Sequence, residues 1–259
     1  MDLIFLAYPV VGLLSGLLAG LLGIGGGLVI VPALLLILPY QTGSSASVVH
    51  VAVATSLATV IMTAAVATYS HHRRGAVSWP IVLRMAGGLA AGAFTGAAVA
   101  GALPADILRN CYGVFALGVA AHIAFRAQPA SGTVPDWFGL LGAGALIGHV
   151  SAIVGIGGGT MSVPFLRWCR LSLQHAVATS SACGLPIALG GTLGFTFLHP
   201  GLNGPVAGYI HWPAALGIGV ASLLAAPLGV RLAHTVSTVA LNYIFSIFLV
   251  IVGFYLLIG

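Results

Sequence analysis

The chain has 259 residues, of which 59% are hydrophobic and 4% charged, with a formal net charge of +5. A soluble domain carries about 25% charged residues, so this composition excludes one. The sequence contains no Lys and no Glu. Its charges are eight Arg and three Asp, without the basic stripe of a nucleic-acid surface, so nucleic acid is excluded as a partner.

The opening stretch MDLIFLAYPV carries Asp2 and no basic residue, so it lacks the positive n-region of a secretory signal and reads as part of the mature protein. Residues 3–38 form an apolar segment broken by Gly25, Gly26 and Gly27. Each glycine costs about 1 kcal/mol relative to alanine inside a helix, so three in a row mark an interruption. Apolar runs of membrane-spanning length follow at 46–69, 78–100 and 107–126. Residues 127–136, rich in Pro, Ser and Gly, form a connector. A second broken segment covers 137–166, and further spans lie at 176–198, 212–230 and 238–258. The expected fold is all-α: a polytopic helical membrane protein with halves at 1–126 and 137–259.

The second half repeats the first in order. Gly23-Ile24-Gly25-Gly26-Gly27 returns as Gly155-Ile156-Gly157-Gly158-Gly159, and Val31-Pro32 as Val163-Pro164. Val53-Ala54-Thr55-Ser56 returns as Val177-Ala178-Thr179-Ser180, and Trp79-Pro80 as Trp212-Pro213. The small-residue ladder Gly88, Gly92, Gly96 returns as Ala221, Ala225, Gly229. Matches in this order indicate one duplicated membrane domain.

The arginines choose its orientation. If each broken segment crosses the membrane once, the repeats are parallel and four arginines fall on each side. If each turns back, the halves are inverted. Arg73, Arg74, Arg84, Arg126, Arg167, Arg170 and Arg231 then share the cytoplasmic side, with Arg109 alone outside. The positive-inside rule favours this second arrangement. Each inverted repeat then holds a glycine-broken segment, re-entrant or built of two short spans, plus three full spans.

Interrupted backbone is tolerated at membrane depth only where protein buries it or it lines a cavity. The half-helix after the break exposes amide groups and the positive end of its dipole, which together attract anions. The first half-helix is expected to begin near Leu28 and stop before Pro39. The second is expected to begin near Thr160 and to carry Pro164 in about its first turn. The expected binding backbone is therefore Gly25, Gly26 and Gly27 with Gly157, Gly158, Gly159 and Thr160. Gly12-Gly16-Gly20 and Gly88-Gly92-Gly96, with glycines four apart, read as helix-packing seams.

Thr55, Ser56, Thr179 and Ser180 offer hydroxyls beside the two breaks; the competing use is a bond to their own helix's carbonyl one turn back. Thr55, Thr59 and Thr63 share one helix face. Of nine histidines, His149 and His175 are the candidates for a proton relay. His71 and His72, beside Arg73 and Arg74, read as a solvated face. Trp79 and Trp212 read as interfacial anchors. The three cysteines form no CxxC pair and no metal spacing, so neither metal nor cofactor is expected. No nucleophile–base pair stands out and no carboxylate falls inside a span, which argues against an enzyme and against coupling by a buried acid.

The duplicated Gly-Ile-Gly-Gly-Gly, each copy followed by Val-Pro and then Ala-Thr-Ser, resembles the TauE/SafE family, also called the sulfite exporter family. The similarity runs through both halves. It implies a multi-pass permease of a bacterial-type inner membrane, linked to export of sulfite, sulfoacetate and related small organic anions. The paired motif specifies the family better than the substrate. Two features depart from perfect repetition: the first half has a longer stretch between its break and its Thr-Ser pair, and Val51 rather than His50 aligns with His175. The expected function is secondary transport of a small anion by alternating access. A passive anion channel and a non-transporting assembly subunit are the alternatives. The expected partners are the lipid bilayer and the anionic substrate, with a homo-oligomer left open.

Overall fold

The computed structural model describes residues 7–22, 26–42, 47–124, 132–199, 206–232 and 238–258. In the first half, α1 (Ala7–Leu22) precedes α2 (Gly27–Ile37) and the short α3 (Pro39–Thr42). Then come α4 (Val48–His72), α5 (Trp79–Ala102) and α6 (Ala105–Ala124). The second half runs α7 (Trp137–Val154), α8 (Gly159–Trp168) and α9 (Leu173–Leu198). After a two-stranded ribbon, β1 (Val206–Ala207) and β2 (Ile210–His211), it ends with α10 (Trp212–Leu232) and α11 (Thr238–Ile258). The protein is an all-α polytopic membrane protein, apart from that ribbon. Among the described residues, α4, α5, α6, α7, α9 and α10 are long and apolar enough to cross a bilayer. The sequence placed 137–154 inside a broken segment; the structure gives it a helix of full spanning length. Asp136 starts that helix, its carboxylate accepting the Gly139 amide at 2.9 Å.

The glycine ladders fix the packing. Gly12, Gly16 and Gly20 lie against the backbone at Ile218, Ser222 and Ala226, so α1 and α10 run side by side in one direction. Gly88, Gly92 and Gly96 lie against Leu141, Ala145 and His149, and α5 runs with α7 in the same way. Small residues let backbones approach closely where lipid offers no hydrophobic drive for helices to associate. These ladders are packing seams, as their spacing indicated.

The central helices are α4 and α9, the most enclosed of the long spans. Thr55, Met62 and Thr63 meet His211, Gly219 and Ser222, so α4 runs with α10 and therefore with α1. The chain must turn back between α1 and α4, and α2 makes the return. Gly190 and Gly194 lie against Ala90 and Phe94, so α9 runs with α5. Since α7 also runs with α5, the chain turns back again through α8. By contrast, α4 and α9 oppose each other: Leu57 faces Gly191 and Ala64 faces Gly184. The helices α6 and α11 are opposed too. Gly113 lies against Leu257, Leu117 lies against Gly253, and the Ser246 hydroxyl donates to the Ala120 carbonyl at 2.8 Å.

Candidate substrate site at the apposed glycine breaks

Both half-helices begin on a left-handed glycine. Gly26 (φ 74°) caps α2 and Gly158 (φ 78°) caps α8, conformations that a side chain would strain. The Gly26 carbonyl accepts from Val29 and Ile30, and the Gly158 carbonyl from Met161 and Ser162. A glycine N-cap has no side chain to bond the first-turn amides of either helix, and such amides are ready donors for a ligand. The expected starts near Leu28 and Thr160 agree with these boundaries to within a residue.

Each half-helix carries a proline in its second turn, Pro32 and Pro164, and so loses one internal bond. In α2 the bond lost is the one to the Leu28 carbonyl, and the buried Tyr112 hydroxyl replaces it at 3.0 Å. Pro164 lies deeper in α8 than the sequence suggested.

The two breaks touch. Gly27 sits directly against Gly155 and Ile156, too close for any side chain. Ser56 bridges them, its hydroxyl donating to the Gly155 carbonyl at 2.8 Å across the two halves. Beside this junction lies a small cavity of about 10 Å³, lined by Gly157, Thr63, Ala64, Ser181 and Gly184, with room for roughly one water.

The expected site residues divide as follows. Gly26, Gly27, Gly157, Gly158, Gly159, Ser56 and Ser180 are buried, with Ser56 and the glycines Gly27 and Gly157 at or beside the junction. Gly25 lies outside the described residues. Thr160 is half-buried on the first turn of α8. Thr55 and Thr179 have equivalent structural bonds: Thr55 Oγ1 accepts the His211 amide at 2.9 Å, and Thr179 Oγ1 accepts the Ser78 amide at 3.0 Å. Each amide belongs to the residue before a Trp-Pro pair. Each hydroxyl keeps its hydrogen for a second bond. Thr59 and Thr63 donate to their own helix, to the Thr55 and Thr59 carbonyls.

The two relay histidines stand apart from the junction. His149 faces α5, its Nδ1 3.0 Å from Thr95 Oγ1. His175 is exposed at the start of α9, bonded to Ser172. His71 is buried rather than solvated, while His72 accepts from the Trp79 indole at 3.0 Å. A ring cluster of His50, Tyr209, Phe195 and His199 packs where the ribbon folds over α9. Residue order shows little sign of it, since it depends on Gly208 lying against Thr196.

Paired interrupted helices meeting inside a multi-pass helical protein are the build of a membrane transporter. Comparison with known proteins supplies the family: the profile described as Sulfite exporter TauE/SafE matches residues 8–256, and the chain belongs to that family. The chain is 32% identical over 251 residues to a probable membrane transporter protein of Haemophilus influenzae, covering 94% of each chain. It is 26% identical over 253 residues to one from Methanocaldococcus jannaschii, covering 96% of this chain and 93% of the other. It is 26% identical over 241 residues to the probable membrane transporter protein YdhB of Bacillus subtilis, covering 88% and 90%. No solved structure matches. The protein is a multi-pass membrane transporter, not an enzyme.

Proposed function

We propose that the chain carries a small anion across the membrane by alternating access between two inverted repeats, residues 1–126 and 137–259, joined by the connector 127–136. The meeting of the two glycine breaks carries this reading. The N-terminus of α2 meets the break that precedes α8 there, and half-helix amides with positive dipole ends suit a negative charge without any buried Lys or Arg. Inversion is supported by the opposed directions of the equivalent pairs, α4 with α9 and α6 with α11. A two-fold axis in the membrane plane makes equivalent helices antiparallel, whereas an axis along the normal leaves them parallel.

In this reading Gly26, Gly27, Gly157–Gly159 and Thr160 present backbone to the substrate. Ser56 and Ser180 line the junction, and Thr55 and Thr179 hold the frame around it. The family name points to sulfite, and the proposed substrate class extends to related organosulfonates. Export follows the inside-negative potential, which favours anion exit by about 2.3 kcal/mol per charge per 100 mV. His149 and His175 are the residues for any proton coupling.

The test is flux in proteoliposomes of sulfite, sulfoacetate and acetate, with and without proton and sodium gradients. Saturable flux, accelerated by substrate on the opposite side, is expected. Non-saturating flux indifferent to the opposite side identifies a channel instead, and absence of flux for every anion identifies a non-transporting subunit. If His149 carries protons, His149→Gln shifts the pH dependence of flux while leaving flux without a pH gradient intact.

A further inference from the structure

Each half-helix follows a left-handed glycine, Gly26 or Gly158, but the side chains around the two differ. Ser151 and Ser162 are 1% and 0% exposed, and their hydroxyls have no hydrogen-bond partner among the described residues. A methyl group on Gly158 would lie 3.5 Å from Ser162 Oγ and 3.6 Å from Ser151 Oγ, so both hydroxyls border one spot beside the N-terminus of α8. Thr160 Oγ1, on the first turn, is a third buried hydroxyl without a partner. Buried hydroxyls are normally bonded. The Ser162 hydroxyl does not turn back onto the Gly158 carbonyl, which accepts the Ser162 and Met161 amides instead. With the glycines aligned, the matching residues of the first half are Ala19, Leu28 and Ile30, none of which has a hydroxyl.

We infer that the substrate anion takes its side-chain donors from the second break, held there by the hydroxyl hydrogens of Ser151, Thr160 and Ser162 and by the first amides of α8. At the first break the nearby buried hydroxyls, Ser15 beside Gly26 and Ser56 beside Gly27, already donate to the Gly12 and Gly155 carbonyls, at 3.2 and 2.8 Å. The inference rests on the chain being an anion carrier. The ligand it fits is a small oxyanion able to accept several donors at once. The positive end of α8 beside the same spot favours an anion over a cation. Ile187, next to Pro186 in α9, presses its Cδ1 onto Gly158, so the spot is shut in this conformation and Ile187 must shift for the anion to enter.

The test uses the full chain in lipid nanodiscs with [35S]sulfite binding, and in proteoliposomes for flux. Ser151→Ala and Ser162→Ala each weaken sulfite binding by about tenfold or more, the scale of a lost bond to a charged group. Their melting temperatures hold or rise, because the hydroxyl removed has no protein partner. Thr160→Val, at a half-buried position, weakens binding similarly and covers the case in which a serine variant fails to fold. Thr68→Ala, removing another buried unpartnered hydroxyl near the far end of α4, leaves binding unchanged. If the three variants bind sulfite like the wild type while flux persists, the site lies elsewhere and the transporter reading stands. If the wild type neither binds nor carries sulfite, sulfoacetate or acetate, both readings fall. Altered 22Na+ binding with sulfite affinity untouched means the hydroxyls hold a cation, and overturns the inference.

Discussion

Thr55 and Thr179 show how one residue type serves both halves of the molecule. Each sits in a central helix and accepts a backbone amide from the other half, at the residue leading into a Trp-Pro helix start. Proline has no amide of its own to offer, so these cross-links help anchor the starts of α5 and α10. Thr55→Val or Thr179→Val leaves an amide without its acceptor, at a cost of about 1–3 kcal/mol. The expected result is a lower melting temperature in detergent, restored by Thr→Ser. His211 adds a pH-sensitive contact to the same frame. Its Nδ1 accepts the Ala214 amide at 3.2 Å, which requires a neutral ring, and burial pushes its pKa below the ordinary 6.5. As pH falls, the unfolded chain takes up this proton before the folded one. The stability His211 contributes is therefore complete above about pH 6.5 and declines as pH drops below it. Melting curves at stepped pH, compared with His211→Asn, should show that component disappear in the variant.

Among the elements, the half-helices and the glycine seams determine the most. Pro32 lies too deep in α2 to be cost-free, and Tyr112 compensates from α6 by bonding the carbonyl that proline leaves open. Tyr112→Phe should cost about 1 kcal/mol, measured as a shift in thermal unfolding. The seams are less forgiving. Gly16 and Gly92 approach the backbones of Ser222 and Ala145 too closely for any added carbon. Gly16→Val and Gly92→Val should destabilise by at least about 1–3 kcal/mol, visible as loss of monodisperse protein after mild heating. Both seams were legible from glycines recurring every fourth residue. The ribbon at Val206–His211 was not, because strands of two residues between Gly- and Pro-rich turns have no periodicity to read.

For the whole molecule, the decisive question is whether the turns after α4 and after α8 share a side of the membrane. Inverted halves require it; parallel halves forbid it. In an otherwise functional chain, Arg73→Cys and Gln174→Cys, both at exposed positions, should react with an impermeant thiol reagent from the cytoplasmic side alone. Labelling from opposite sides would end the inverted arrangement. The native Cys169 near the second turn should stay silent, since burial shields its thiol and raises its pKa.

The sequence alone determined the membrane class, most of the long apolar helices and the positions of the two breaks, and it suggested the duplication. Composition, period and glycine placement are local properties that survive without a fold. Charge counting also indicated that each broken segment turns back, because arginine distribution is set at insertion. Only the tertiary structure decided what the breaks meet and which hydroxyls are already bonded. Thr55 and Ser56 are neighbours in sequence, yet one holds the start of α10 and the other bridges the two breaks. Those roles depend on residues more than ninety positions away, brought into reach by the packing of α4 between α9 and α10.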